Sequence, residues 1–409
     1  MRAGLMRKKI LAIGLAVFYA GWGAPIAAAY SFNELVPDVR QPANISGGSA
    51  CPVRSHQLTA AGAAALQWST ALGTNPVTIV TANQTADGRL NEIEQVIQQS
   101  LQVWGGVSGT TLSAATFAPL TRTSTQNACG VDGVNSICFD QADMAFTPGV
   151  LAFTRVVTAD RIGAQIGNGT AATEVGQILD ADIYFNPSDS RTTYATPAAL
   201  PGTPTAYDLE SLLTHELGHF LGFSHSAVFS AMMFPFAPAM GTFTGARPTA
   251  GQADAPLSED DRTGLRVLYA DPADAVHTGS IRGRIVAANA LSLPAAPPGV
   301  TGIFGAHVAA VDAANGNVIG ATLGGWSCQG AGPAQFDGTY AIERLAIGRS
   351  YLVYAEPLDG VVSPAQVSNA LASLCRNAVT DAGWPPLQGC VAPGAMTSFT
   401  ARTRPGPGS

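Results

Sequence analysis

The sequence predicts two folded units in one chain: an α+β domain over residues 62–272, followed by an all-β antiparallel sandwich over 279–402. Three observations carry this reading. Between Leu90 and Val107, the residues Ile93, Val96, Ile97, Leu101 and Trp104 recur at the spacing of a helix with one buried face, and strand-forming runs lie on both sides. A second helical stretch, from about Ala206 to Leu221, carries most of a histidine-rich motif. Beyond Thr278 the helical spacing stops, and short stretches alternate apolar and polar residues between glycine-bearing turns.

The 409 residues are enough for two or three domains, each with its own core. A net charge of −7, with only 12% of residues charged, leaves no basic stretch to hold nucleic acid or an anionic membrane, which excludes both as partners. At the start, Arg2, Arg7, Lys8 and Lys9 precede an apolar run and small residues ending at Ala27 and Ala29. This reads as a secretory signal over 1–29, cut after Ala29. A membrane anchor is the alternative, but the run is shorter than a span needs and no later segment qualifies. The mature chain is expected outside the cell, in the medium, in a periplasm or at a surface, and is taken as a monomer. Export makes the six cysteines candidates for disulfides. Cys129 and Cys138 bracket the turn-rich GVDGVNSI, and Cys375 and Cys390 lie close together near the C-terminus. Cys51 and Cys328 remain, to pair with each other or in another connectivity, and spacing alone does not choose among the arrangements.

Taken in order, residues 30–61 are polar and irregular, an extension or short pro-segment. Asn75–Ala82 reads as a strand, then comes the helix of 90–107, and strands are expected around Thr116–Leu120, Val150–Val157 and Gln177–Phe185. In the helix of 206–221, Thr205 is the expected N-cap, and Leu209, Leu213, Phe220 and Leu221 face the core. LSEDDRTGLRVLY, from Leu257 to Tyr269, forms a further helix whose start is a capping box of Ser258 and Asp261. Residues 273–278 are a linker. GSIRGRIVAA, GAHVAAVDAANGNVIGATL, DGTYAIERLAIG and SYLVYAEP supply the strands of the sandwich, in which His307 is structural, and 403–409 are a flexible tail.

The chemistry concentrates in HELGHFLGFSH, His215 to His225, which holds three of the six histidines. His215 and His219 are four apart and lie one turn apart on the same helix face. Gly222 can take the positive-φ conformation that ends a helix and turns the chain back, so that His225 returns as a third ligand. Three neutral nitrogens with one open position suit a catalytic zinc ion, whereas a structural site closes with a fourth protein ligand. No cysteine lies near in sequence. Glu216, beside the first ligand, is the candidate acid–base residue.

The pattern HExxHxxGxxH resembles the metzincin zinc metallopeptidases. Its continuation SAVFSAMMFPF resembles the methionine turn of their matrixin branch, with Ala231, Met232, Met233, Phe234 and Pro235 in the motif positions. The resemblance implies a twisted five-stranded mixed sheet with three helices and zinc in a cleft. It also implies peptide-bond hydrolysis of protein or peptide substrates, with Glu216 acting on a zinc-bound water. By the same resemblance, Met233 lies beneath the zinc, Asp261 ties the closing helix to the methionine turn, and Asp260 pairs with the mature N-terminus. Val150, Leu151 and Ala152 of GVLAFTR are the strand edge to which a substrate adds. Ser211 and the wall Pro235, Phe236 and Ala237 shape a pocket for a bulky apolar side chain just after the scissile bond. The C-terminal stretch resembles carboxypeptidase regulatory-like, transthyretin-like domains.

The chain also departs from the family pattern. The inhibitory PRCGxPD-like motif is missing: Cys51 sits in ACPVRSH, so a disulfide is favoured over a zinc-blocking role. No histidine lies between His56 and His215, so a second zinc is not expected. Asp180 and Asp182 of LDADIYF read as solvent-facing strand residues, with a calcium site as the other possibility. A catalytically silent binding or adhesion protein is the rival functional reading, and the intact glutamate with all three ligands argues against it.

Overall fold

The computed structural model describes chiefly residues 90–112, 129–139, 149–159, 177–186, 194–229, 231–241, 256–286, 306–323 and 338–356, with shorter stretches between them. Strands β1 (Ile79–Ala82), β2 (Thr121–Thr123), β3 (Asn135–Cys138), β4 (Ala152–Thr158) and β5 (Ile178–Phe185) form one five-stranded sheet. Its order is β2-β1-β3-β5-β4. All pairings are parallel except that of β4, which runs antiparallel to β5 from Ala152 opposite Phe185 onward and forms an edge. The second strand pairs at Thr121–Thr123, just beyond the expected Thr116–Leu120, whose residues lie outside the described ones.

Helix α1 (Leu90–Gly105) buries Ile93, Val96, Ile97, Leu101 and Trp104, the residues that the spacing selects, against α2 (Leu209–Phe220). The indole N–H of Trp104 donates to Thr214 O at 2.8 Å, which fixes α1 across the zinc-motif helix. Helix α2 starts later than its sequence suggests, and its N-cap is Asp208 rather than Thr205. Tyr207 and Asp208 are extended and pair with Tyr194 and Ala195, so a helix beginning at Ala206 is excluded, and the Asp208 carboxylate takes the Glu210 N–H. Helix α3 (Glu259–Leu268) has the expected capping box between Ser258 and Asp261.

Asp180 and Asp182 do not face solvent, contrary to the strand-alternation reading, because β5 is covered on both faces; they are 1% and 0% exposed. Asp182 accepts from Gly130 N at 2.9 Å and Ser136 N at 3.0 Å, and pairs with Arg155 at 2.9 Å. Gly130 and Ser136 lie in the loop closed by the Cys129–Cys138 disulfide. Reducing that disulfide frees a loop of about ten residues in the unfolded chain and is expected to lower stability by about 2–3 kcal/mol. Chemical denaturation of the wild type and of a Cys129→Ala, Cys138→Ala double variant measures the difference, and equal midpoints would refute the expectation. The remaining cysteines lie outside the described residues.

Asp180 gives a pH signature. Burial, then the neighbouring charges of Asp182 and Asp132, push its carboxyl from 3.8 up to about 7. Between those values the folded chain holds a proton that the unfolded chain has released, so Asp180 makes stability fall as pH rises through this window. Asp180→Asn is therefore expected to gain on the wild type at pH 8, by roughly 1–3 kcal/mol, and to match it near pH 4. Thermal midpoints at the two pH values decide this, and a variant less stable than wild type at pH 8 would contradict it.

The expected linker, residues 273–278, has regular structure. A 3-10 turn over Pro272–His277 leads straight into β6 (Thr278–Arg284). β6 pairs antiparallel with β9 (Thr339–Ala346), while β7 (His307–Asp312) lies between β8 (Val318–Leu323) and β10 (Tyr351–Glu356) in a three-stranded antiparallel sheet. Buried Val308, Ala310, Ile319, Ile342 and Leu345 join the same apolar cluster as Leu265 and Leu268 of α3. His307 is buried in β7, its Nδ1 at 2.8 Å from Glu356 Oε1. Val228 and Ala231, beside the methionine turn, pack on Ala309 and Ala321.

Candidate metal centre and active site

Helix α2 presents His215 and His219 on one face, and the chain then turns at Gly222, whose φ of +103° is a conformation that L side chains rarely adopt. The Phe223 N–H returns to Gly218 O at 2.9 Å, which closes the turn and directs His225 back towards the helix. The Nε2 atoms of His219 and His225 are 3.2 Å apart, and those of His225 and His215 are 3.1 Å apart. Tetrahedral zinc with Zn–N bonds of about 2.0–2.1 Å needs nitrogens about 3.3–3.4 Å apart, close to what is found. His215 Nδ1 faces Met232 O at 2.8 Å and His219 Nδ1 faces Phe223 O at 2.9 Å. A carbonyl can only accept, so each Nδ1 carries the proton and each Nε2 presents a lone pair to the common centre. Burial lowers the pKa of His215 to about 4 and, with His215 as a further cause, that of His219 to about 3; burial also drives His225 well below its ordinary value. Neutral imidazoles are what a metal requires. Among the described residues, this triad is the group of three or more ligand-type side chains close enough to hold one ion.

The support beneath the triad comes from packing. Met233 is fully buried, and a Cβ at Gly218 would lie 2.2 Å from its sulfur. Asp261 accepts from Met232 N at 2.7 Å, Met233 N at 3.1 Å and Ser258 N at 2.9 Å, so the first turn of α3 holds the methionine turn. The mature N-terminus lies outside the described residues; within them, Asp260 accepts from Ser226 Oγ and from Ala321 N.

Glu216 is 5% exposed, and its Oε2 accepts from Thr154 Oγ1 at 2.6 Å; the same hydroxyl lies 3.0 Å from Glu216 O. Burial pushes the Glu216 carboxyl up to about 8, and Thr154 opposes this. A dication at the triad would pull it back towards the carboxylate. Thr154 is a residue that the motifs miss. Its signal is the period of two along β4, which puts it on the same face as Ala152.

The other candidate residues are placed as follows. Val150, Leu151 and Ala152 lead into and begin the edge strand, all buried. Leu151 O accepts from Asn186 N and from Tyr194 Oη, and Val150 O accepts from Asn186 Nδ2. Ser211 is buried at the start of α2, with its hydroxyl on Asp208. Pro235, Phe236 and Ala237 follow the methionine turn half-buried, and the ring of Phe236 lies 5.7 Å from that of Phe234.

Residues 157–270 match the matrixin family. The chain is 34% identical to metalloendoproteinase 1 of Glycine max over 110 residues, 27% of this chain and 30% of that protein. It is 26% identical to the interstitial collagenase of Equus caballus over 189 residues, 46% of this chain and 30% of that protein. Over 70 residues it is 41% identical to metalloendoproteinase 5-MMP of Arabidopsis thaliana, 17% of this chain and 16% of that protein. The chain thus spans less than a third of the length of these relatives. The matched segment runs from within β4 to the end of α3 and contains the triad, Glu216, the methionine turn and Asp261, so the likeness to the matrixin family covers the whole metal-site region.

Proposed function

We propose that the protein is a secreted zinc-dependent endopeptidase that hydrolyses peptide bonds of extracellular proteins. The observation that carries this reading is the buried Glu216 carboxylate, next in sequence to His215 and held by Thr154 from the edge strand, beside three neutral imidazoles that converge on one point. His215, His219 and His225 hold the ion. When bound, zinc supplies a Lewis acid for the scissile carbonyl and lowers the pKa of a bound water. Glu216 accepts the proton of the attacking water and returns it to the leaving nitrogen. An extended substrate adds along β4 at Val150, Leu151 and Ala152, giving main-chain affinity with side-chain selectivity at alternate positions. Asn186 and Tyr194 hold the carbonyls of Val150 and Leu151, and so support the segment where the edge begins. Ser211 and the wall Pro235, Phe236 and Ala237 favour a bulky apolar residue after the cleaved bond.

The test is a digest of a mixed peptide library by the full chain, with and without a chelator. Cleavage that the chelator abolishes and zinc restores is the expected result, with a shared apolar preference after the cut. A pure, zinc-loaded sample that cuts nothing would overturn the reading and favour a silent binding protein.

A further inference from the structure

The β8 strand of the C-terminal module reaches the metal site through one side chain. β8 is the outer strand of its sheet, and Ala321, which lies opposite Ala309 of β7, sends its N–H away from the sheet to Asp260 Oδ1 at 3.0 Å. The other oxygen of Asp260 accepts from Ser226 Oγ at 2.8 Å. Ser226 is the residue after His225. Its N–H donates to Met233 O at 2.7 Å, and its Oγ accepts from Val228 N at 3.0 Å. Ser226 therefore closes the loop between the third histidine and the methionine turn, whose Met232 O orients His215. Asp260 and Ser226 are both fully buried, so water does not substitute for any of these partners.

We propose that Asp260 is a positioning residue that makes the C-terminal β module part of the metal site, with β8 fixing the His225 loop through the chain Ala321, Asp260, Ser226. This rests on the zinc reading above for its effect on activity, but not for the coupling itself. A second bond of the same contact supplies the control. Thr263 Oγ1 donates to Ile319 O on β8 at 2.8 Å, and Thr263 bonds neither Ser226 nor Asp260 through that hydroxyl. It docks the module without reaching the loop.

Ala321→Pro removes the N–H without removing a hydrogen bond between β8 and β7, because that N–H goes to Asp260 and not to β7. The expected result is a zinc dissociation rate raised about tenfold or more, as for other partners that orient metal ligands. A several-fold drop in kcat should accompany it, with KM little changed. In the chelated protein, the amides of Ser226 and Val228 should exchange with solvent faster than in wild type. Thr263→Val should lower the melting temperature but leave zinc release and these amides unchanged. If Ala321→Pro does not fold, Asp260→Ala and Ser226→Ala carry the same expectations, and their double variant should be less than additive. The proposal is overturned if Ala321→Pro, or failing it Asp260→Ala, loses stability as Thr263→Val does while zinc release and the Ser226 and Val228 amides stay at wild-type values. A wild type that binds no zinc would defeat the functional reading, and the exchange rates in the metal-free protein would still decide the coupling.

Discussion

Glu216→Ala should retain zinc and lose proteolysis, with kcat/KM falling by roughly 10²–10⁴-fold, the range for removal of a positioned acid–base group. The ligands do not depend on that carboxylate: His215 and His219 are oriented by Met232 O and Phe223 O, and Thr154 keeps its contact with the Glu216 carbonyl at 3.0 Å. The fold and the metal should therefore survive while proton transfer is lost. Metal analysis of the purified variant, paired with single-turnover cleavage of a peptide found in the library digest, checks both halves. Wild-type turnover in a pure sample would remove Glu216 from the mechanism. Loss of zinc in the variant would show that the carboxylate acts through the metal site's stability instead.

The second large effect is expected at Gly218→Ala, a substitution that normally favours a helix. Here the added Cβ would lie 2.2 Å from Met233 Sδ and 2.9 Å from Trp104 Cζ2. The Trp104 ring is rigid and tied to Thr214 O, so the fully buried Met233 side chain is the neighbour that must repack. Overpacking of this kind costs about 1–3 kcal/mol and sometimes more. The displaced element would be the methionine turn, so the expected result is a lower thermal midpoint together with faster zinc release. Unchanged values of both would mean that the methionine turn accommodates the methyl group, and would refute the packing argument.

Glu216 lies in a pattern that the sequence displays, whereas Gly218 acts through contacts that it does not. The triad, the Gly222 turn and the capping box at Ser258 are local patterns, fixed by spacings of three to ten residues, and reading along the chain suffices to find them. Gly218 was visible as a residue of the motif, but its reason was not, since Trp104 lies more than a hundred positions away. The helical pattern alone puts the start of α2 too early, because Tyr194 and Ala195 hold Tyr207 and Asp208 extended, a pairing that no helix propensity encodes. Strand alternation puts Asp180 and Asp182 in solvent because it cannot tell which strands a sheet covers on both faces. Arg155, Gly130 and Ser136, which bond Asp182 beside its strand neighbour Tyr184, come from two other strands and a disulfide loop. Thr154 and Ala321 belong to the same class. Each acts on the site across a tertiary contact, and neither carries a motif.

The apolar cluster that runs from Leu265 and Leu268 into Val308, Ile319 and Ile342 has a thermodynamic consequence. Where two units share one continuous core, neither can open without exposing the surface that stabilises the other, and their unfolding becomes a single cooperative event. Loss of the C-terminal strands would accordingly be felt at the opposite end of the same transition, as a lower resistance of the metal-bearing half to heat, denaturant and attack by other proteases.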